Sequence, residues 1–434
     1  MNRNLYLSLL LLVVALALPF GSITLQLATS KWPIFWQIRS FLINYSGIVT
    51  MILMSLTVIL SVKHWPMEKW LRGLDQQYRL HKYLGIITTI SAFMHWLSFL
   101  SDDIAMEQGY IITTDEKYPF WKLIEFMGDP AQFIGEWAFY LTSAFVLIAW
   151  LKYFPHRFFQ YSHKFIPYIY LLLVIHMLIF LDSQLWLSLP GLVLATTVPL
   201  ASIASLLTIF DLNGKANRSH AVIEEIAPYQ NGVKVTMRST SSIQSYRSGQ
   251  FAFVGFDKDE RAHPFSLASK NIKEGLMHFL IQANGDYTNT LTGSLELGQT
   301  VELEGPYGCF DFDDQAKQQI WVAGGIGIAP FMAALEDLKH NKHVDLFYTY
   351  NSPNDSLLTQ LKERAHQANV TLHLINTNNS SWLTPKDVLA VVKDICECSV
   401  WYCGPLSLGE KCEQTFYKAK LPRGSFHREL FDFR

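Results

Sequence analysis

HKYLGIITTISAFMH, residues 81–95, and HKFIPYIYLLLVIH, residues 163–176, are two apolar runs with a histidine at each end. The steps from His81 to His95 rise about 21 Å along a helix, and those from His163 to His176 about 20 Å, at 1.5 Å per residue. Each pair puts one imidazole near each side of a bilayer core about 30 Å thick. Two such helices side by side present two layers with two facing histidines each. Bis-imidazole ligation of two stacked haems needs that arrangement. The plainer alternative is a set of satisfied core histidines. Polar residues in lipid are costly and usually functional, and four of them paired at near-equal spacing favour metal ligation by His81, His95, His163 and His176. One point resists. His81 and His95 lie close to four turns apart and share a face, whereas His163 and His176 lie about 3.6 turns apart and point away from each other on an unbroken helix. Pro167 follows His163 by four residues. It denies that carbonyl its helical partner and can distort the turn.

Outward from these runs, six spans are expected, at about 4–24, 43–62, 81–101, 131–152, 161–181 and 185–209. Each is near the length a bilayer requires. The first resembles a signal peptide in its basic start, but no clear small-residue cleavage site follows, so a retained helix is expected. The 63–80 and 152–164 loops are rich in Lys and Arg, while the 102–130 loop is acidic. The basic loops and the whole second half are therefore expected in the cytosol. His81 and His163 then belong to the inner side, His95 and His176 to the outer. Arg39 sits just before the second span, as either a snorkelling interfacial cation or a partner for a haem propionate.

The chain has 434 residues and a formal net charge of -2, with no basic run, which argues against a nucleic-acid partner. All five cysteines lie in the second half, a pattern that fits a reducing compartment better than a disulfide scaffold. Cys396 and Cys398 lack a second pair or a histidine at zinc spacing.

The second half reads as a soluble protein. Short runs such as GVKVTMRS, GQFAFVGF and MHFLIQA alternate in polarity between Gly and Asn breaks, which predicts a small antiparallel β-barrel. After it come QQIWVAGG, IGIAPFMAALEDLKHN and HVDLFYTYN, an alternation of strand and helix that predicts a doubly wound α/β domain. In VAGGIGIAPF (322–331) a buried strand runs into Gly324, Gly325 and Gly327 before a helix begins. Glycines there admit a pyrophosphate to the backbone, and the helix amino terminus favours its charge. A structural turn is the alternative.

With these motifs in view, the chain resembles the flavocytochrome b family of ferric reductases and NADPH oxidases, with a cytosolic half like ferredoxin–NADP reductase. The histidine spacing resembles the family pattern for haem ligands. HPFSLAS (263–269) is similar to the flavin motif, which implies contacts from His263, Pro264, Phe265 and Ser266, with Ser266 beside the isoalloxazine. GDYT (285–288) resembles the second flavin motif and implies Gly285 and Thr288 near the phosphates. GPYG (305–308), with Gly305, then VAGGIGIAPF and CGP (403–405) follow in the family's order. The resemblance implies Cys403, Gly404 and Pro405 near the nicotinamide, and a terminal aromatic, Phe433, covering the flavin; Phe431 is the alternate. The departures are Phe99, where oxidases of the family often carry a further histidine, and Asn351, where an Arg for a 2′-phosphate is often found. No EF-hand and no regulatory-subunit docking motif is seen.

The expectation is a six-helix transmembrane haem domain (1–212), an FAD-binding β-barrel (213–311) and an NAD(P)H-binding α/β domain (312–434). Ser266, Cys403 and Phe433 are the expected catalytic residues. Electrons would pass from NADPH or NADH through FAD and two b-type haems to a ferric chelate or dioxygen beyond the bilayer. The expected location is the plasma membrane, crossed several times, of the bacterial inner-membrane type, with the soluble domains in the cytosol. A haem-binding transporter or sensor is the rival from another class, and delivery to a quinone or a periplasmic protein is a third reading.

Overall fold

The computed structural model describes residues 34–63, 67–107, 128–151, 154, 156–181, 183–229, 231–240, 246–256, 262–270, 275–283, 286–314, 316–338, 342–351, 355–379, 382–392 and 394–429. The chain divides into two compact units: residues up to 67 with 76–213, and residues 68–75 with 214 onward.

The first unit is helical. Its elements are α1 (Ile34–Ile59), α3 (Leu74–Glu107), α4 (Gly128–Trp150), α5 (His156–His163), α6 (Ile166–Phe180) and α7 (Leu189–Ile209); the short α2 (Met67–Leu71), between the first two in sequence, falls almost wholly in the 68–75 segment of the second unit. Five apolar stretches are long enough to cross a membrane: Gln37–Ile59, Leu74–Ser101, Pro130–Trp150, Phe158–Phe180 and Leu189–Ile209. Among the described residues five such spans are found rather than the six expected, and the stretch expected at 4–24 lies outside those residues. The second span begins earlier than its apolar run, at Gln37, and Arg39 within it donates from Nη2 to the Phe99 carbonyl at 3.3 Å. That hydrogen bond offsets the cost of a cation near lipid.

Ser188 caps α7 by accepting from the Gly191 amide, and Pro190 occupies the first turn, where its missing N–H costs nothing. Ala201 and Ala204 on α7 are buried against α1 and α6 in one core with Ile52, Met54 and Leu194. Small residues let membrane helices approach closely. Tyr170 is fully buried there, and its hydroxyl bonds Ser55 Oγ at 2.9 Å and the Val198 carbonyl at 3.3 Å.

The second unit holds two sheets. The first contains β1 (Arg218–Tyr229), β2 (Gly232–Ser239), β3 (Phe251–Gly255), β4 (His263–Ser266), β5 (Leu276–Gln282) and β6 (Thr300–Tyr307), with α8 (Asp286–Ser294) before β6. Its order is β4-β3-β6-β1-β2-β5, antiparallel throughout. The expected β-barrel is corrected on one count: the sheet does not close. The end strands β4 and β5 touch through a single bridge, Leu267 to Phe279. The reason is local, since β4 is only four residues long and Pro264 removes one donor from it. Ala221, Val235, Met237, Phe279 and Val301 fill the sheet's core.

The second sheet contains β7 (Gln318–Gly324), β8 (His343–Tyr350), β9 (Thr371–Asn376), β10 (Cys398–Cys403) and β11 (Phe426–Arg428), in the order β11-β10-β7-β8-β9 with all pairs parallel. Helices α9 (Ala329–Asp337), α10 (Asp355–Gln367), α11 (Pro385–Val391) and α12 (Leu406–Lys418) intervene. Strands buried on both faces read as unbroken apolar runs, as IWVAG in β7 does. One core joins both sheets, with Tyr229 and Leu280 of the first, and Ala268 just past β4, beside Trp321 and Trp401 of the second and Phe331 of α9.

Candidate redox site

In the helical unit the four histidines fall into two layers. The rings of His81 and His163 lie 5.9 Å apart between centroids at an interplanar angle of 75°. His95 on α3 and His176 on α6 are the other two of the four. The difficulty over His163 and His176 is resolved by a break: α5 ends at His163 and α6 begins at Ile166, with Pro167 in its first turn. The Phe165 amide bonds back only three residues, to Ser162, at 3.1 Å. The interruption frees the two histidines from the fixed angle that one continuous helix would impose.

Three of the rings are fixed through Nδ1. His81 Nδ1 lies 2.7 Å from the Thr57 carbonyl, His95 Nδ1 lies 3.0 Å from that of Ile43, and His176 Nδ1 lies 2.8 Å from that of Ala131. A carbonyl only accepts, so each Nδ1 carries the hydrogen and each Nε2 keeps its lone pair. Ring orientation and tautomer in metal-binding histidines are set this way. Thr57 and Ile43 are both on α1, as far apart in sequence as His81 and His95 on α3. The antiparallel α1 thus serves both histidines of α3. Thr57 is available because the end of α1 tightens: the Ser61 amide bonds Val58 rather than Thr57, at 3.0 Å. Among the described residues, no three His, Cys, Asp or Glu side chains converge as metal ligands.

In the second unit, β4 carries His263, Pro264, Phe265 and Ser266 in register with Val254, Phe253, Ala252 and Phe251 of β3. The His263 ring stacks on Tyr287, the second residue of α8, at 4.0 Å and 17°. Thr288 follows on the same helix; Gly285 lies outside the described residues. Gly305, with a φ of 154°, lets β6 pack closely on Ala252 of β3.

Ser266 is 9% exposed and donates its hydroxyl to Glu429 Oε2 at 3.2 Å. Glu429 follows β11 directly, and its amide donates to the Tyr402 carbonyl at 3.3 Å. The β10–β11 register pairs Tyr402 with Arg428, so the next step along both strands sets Glu429 by Cys403. Burial pushes the Glu429 carboxyl well above its ordinary value; the nearby Asp75 adds to this and the Ser266 hydrogen bond opposes it. Burial also pushes the Cys403 thiol well up, with the charge of Glu429 contributing. Glu429 Oε1 is buried and has no hydrogen-bond partner among the described residues. Residues 68–75 belong to this unit, and Glu68 Oε1 accepts from the Gly308 amide of the GPYG turn at 2.9 Å.

The Gly-rich turn follows β7 as a 3₁₀ segment, Gly325–Ile328, then α9. A Cβ at Gly324 would stand 2.6 Å from Pro405 Cδ, and one at Gly404 would stand 3.1 Å from Gly324 Cα. A Cβ at Gly327 would collide with the Cys403 carbonyl. These three glycines seat one loop against the other. Gly325 differs: its φ is 56°, and a Cβ there would find nothing nearer than Gln282 Oε1 at 4.0 Å. It therefore keeps bare backbone facing open space at the head of α9. Phe431 and Phe433 lie outside the described residues.

Sequence reasoning missed Thr57, Ile43 and Ala131 because the acceptor is backbone, which leaves no mark in the residue type. It missed Glu429, whose signal was a carboxyl in a strand otherwise of aromatic and basic residues. Tyr287 sat inside the quoted GDYT and was passed over.

The family profile described as the ferric reductase-like transmembrane component matches residues 46–174. That described as an FAD-binding domain matches residues 217–311. The reductase component of propane 2-monooxygenase from Gordonia sp. (strain TY-5) is 24% identical over 208 residues, which is 43% of this chain and 58% of that protein. The electron transfer subunit of dihydroorotate dehydrogenase B from Streptococcus pneumoniae is 25% identical over 200 residues, 44% of this chain and 77% of that one. Flavohemoglobin from Malassezia yamatoensis aligns with a TM-score of 0.47 at 16% identity, covering 76% of this chain and 92% of that one. The chain thus belongs, by its architecture of a ferric reductase-like transmembrane component followed by an FAD-binding domain, to the flavocytochrome b family of ferric reductases and NADPH oxidases.

Proposed function

We propose that this oxidoreductase moves electrons from NAD(P)H, through FAD and two b-type haems, to an acceptor across the membrane, a ferric chelate or dioxygen. The observation that carries the reading is the set of Nδ1–carbonyl bonds at His81, His95 and His176, which leave Nε2 as the free donor on each ring. The residues fit the group. Two metal–imidazole bonds of about 2 Å each, plus the half-depth of each ring from nitrogen to centroid, span roughly 6 Å. The His81 and His163 centroids are 5.9 Å apart. His81 with His163 would hold one haem and His95 with His176 the other. When bound, FAD accepts a hydride and gives up single electrons, and haems carry single electrons onward.

The chain's own residues do the rest. The HPFS strand would hold the flavin, with His263 braced by Tyr287 and Ser266 set by Glu429. Burial favours the protonated form of Glu429, and its Oε1, without a partner among the described residues, would be open to a ligand seated there. Cys403, Gly404 and Pro405, with the turn at Gly324, Gly325 and Gly327, would receive the nicotinamide nucleotide. Thr288 and Gly285 would serve the flavin phosphates, and Phe433 the nicotinamide-facing side of the flavin. The proposed domains are 1–212, 213–311 and 312–434, with the last two in the cytosol and the first in the plasma membrane.

The test is anaerobic reduction with NADH or NADPH, followed optically at the haem and flavin bands, then addition of ferric chelate or oxygen. Reduction of two b haems and their reoxidation by either acceptor is expected. Wild-type protein with full FAD and no haem would overturn the reading.

A further inference from the structure

Both histidines of the second layer rest over a glycine. A Cβ at Gly135 would stand 2.5 Å from Cε1 and 2.6 Å from Nδ1 of His176. A Cβ at Gly47 would stand 3.0 Å from Cε1 and 3.3 Å from Nδ1 of His95. Each glycine lies four residues after the carbonyl that its histidine bonds: Gly47 after Ile43, and Gly135 after Ala131.

This spacing has a physical reason. A helical carbonyl at position i accepts the amide of i+4 and keeps a second lone pair. The side chain at i+4 stands beside that lone pair. In these same helices Ser55 donates to the Met51 carbonyl, Thr57 to Leu53 and Thr88 to Leu84, each at 2.7–2.8 Å. A side chain at i+4 therefore crowds the lone pair, and glycine there leaves it most open to an imidazole from a neighbouring helix. His81 needs no such glycine, because the end of α1 has already released the Thr57 carbonyl.

Resting on the haem reading above, we infer that Gly47 and Gly135 are positioning residues of the His95–His176 layer, opening the Ile43 and Ala131 carbonyls so that Nδ1 is anchored and Nε2 is aimed at the iron. Helix packing alone would also favour glycine, but it would not require that the glycine follow the acceptor by one turn in both places. Neither residue touches the iron; each acts through its histidine.

The test uses full-length protein with Gly135→Ala, Gly47→Ala and the control Gly85→Ala, where the nearest atom to the new Cβ is Thr57 Cγ2 at 3.9 Å. The readouts are haem per FAD, the two midpoint potentials from optical titration, and low-spin electron paramagnetic resonance. Gly135→Ala should weaken one haem by about 10–100-fold, the usual cost of losing a partner behind a metal ligand. FAD and the other haem's potential should be unchanged. Gly47→Ala adds a milder contact and should keep both haems, with one potential raised, because a ring that loses its Nδ1 acceptor is a poorer donor to ferric iron. Gly85→Ala should match wild type. Two haems with unchanged potentials and resonance in both Gly135→Ala and Gly47→Ala overturn the inference while leaving the haem reading intact. If Gly135→Ala fails to accumulate, Gly47→Ala decides alone: an unshifted potential and resonance overturn it. Wild type without haem sinks the reading beneath it instead.

Discussion

Ser266 donates its hydroxyl to Glu429 Oε2 across 163 residues of sequence, at 3.2 Å, with both side chains buried. The bond fixes the serine rotamer on the HPFS strand, where the flavin is proposed to lie. Ser266→Ala should lower the rate of flavin reduction by about 10–100-fold, from loss of one hydrogen bond to a positioned group and misplacement of the carboxyl. Nicotinamide affinity should change little. Rapid-mixing measurement of flavin bleaching separates the two. An unchanged rate would remove Ser266 from the proposed chemistry.

Glu429 predicts a pH dependence. Its folded value is raised by burial first and by Asp75 second. A raised carboxyl is protonated in the folded chain over a range where the unfolded chain ionises. Its contribution to stability is therefore complete below the ordinary carboxylate range and is lost as pH rises toward the folded value. A tenfold difference in proton affinity between the folded and unfolded chain is worth about 1.4 kcal/mol. Glu429→Gln removes this dependence, so its thermal midpoint should exceed wild type by more at pH 8 than at pH 5. Parallel melting curves at both pH values would refute the assignment.

His427 acts in the opposite direction. Burial lowers it to about 4; Asp314 opposes and Arg72 assists. Its ring stacks on Trp401 at 4.0 Å. Folding holds it neutral, so stability is complete above pH 6.5 and declines as pH falls toward about 4. His427→Phe should flatten the acid limb of the same melting experiment while preserving the stack. An acid limb as steep as that of wild type would exclude this origin.

Much of this was legible in the sequence, for identifiable reasons. Histidines in lipid stand out because lipid tolerates few polar groups, and the order HPFS, GPYG, VAGG, CGP survives as local pattern. The pairing of His81 with His163, whose rings lie 5.9 Å apart, was expected from helical rise together with the apolar setting of both histidines. What was not legible lies in relationships between distant elements. Any residue has a carbonyl, so nothing marks Ile43 or Ala131 as acceptors. Glu429 meets Ser266 only through the register of β11 on β10 and that of β4 on β3. Closure of the first sheet depends on whether β4 extends far enough to pair with β5, which alternation along each strand does not encode.

Cofactor choice follows from the end of β8. The Asn351 carbonyl accepts from the Asn378 side chain, and Thr377 Oγ1 donates to the Tyr350 carbonyl at 3.2 Å. From 344 to 361 and from 374 to 385 the sequence holds no Lys, Arg or His, and the charge nearest after β8 is Asp355. A ribose bound at this end of a doubly wound sheet would meet Asn351 where a 2′-phosphate is often met by an Arg, which would suit a hydroxyl better than a phosphate. NADH should exceed NADPH in kcat/KM by at least about tenfold, the worth of one charge-assisted hydrogen bond. Asn351→Arg should narrow the ratio mainly through the KM for NADPH. Equal use of both nucleotides by wild type would contradict this.

The break between α5 and α6 carries the last prediction. On an unbroken helix thirteen steps turn His163 and His176 about 140° apart, so they could not serve layers stacked against one neighbour. The chain avoids this at Lys164 and Phe165, where hydrogen bonding drops to three-residue spacing, and Pro167 withholds the amide that His163 would otherwise receive. Pro167→Ala restores that donor. The continuous helix then competes with the break, by a term comparable with one helical hydrogen bond, about 1 kcal/mol. His163 should be pulled away from His81, while His176 keeps its bond to Ala131. The expected result is weaker binding or a shifted potential of one haem with the other unchanged, by optical redox titration. His163→Leu should remove the same haem outright, which identifies the affected layer. If Pro167→Ala instead alters the haem that His176→Leu removes, or alters neither, the break does not set the register of His163.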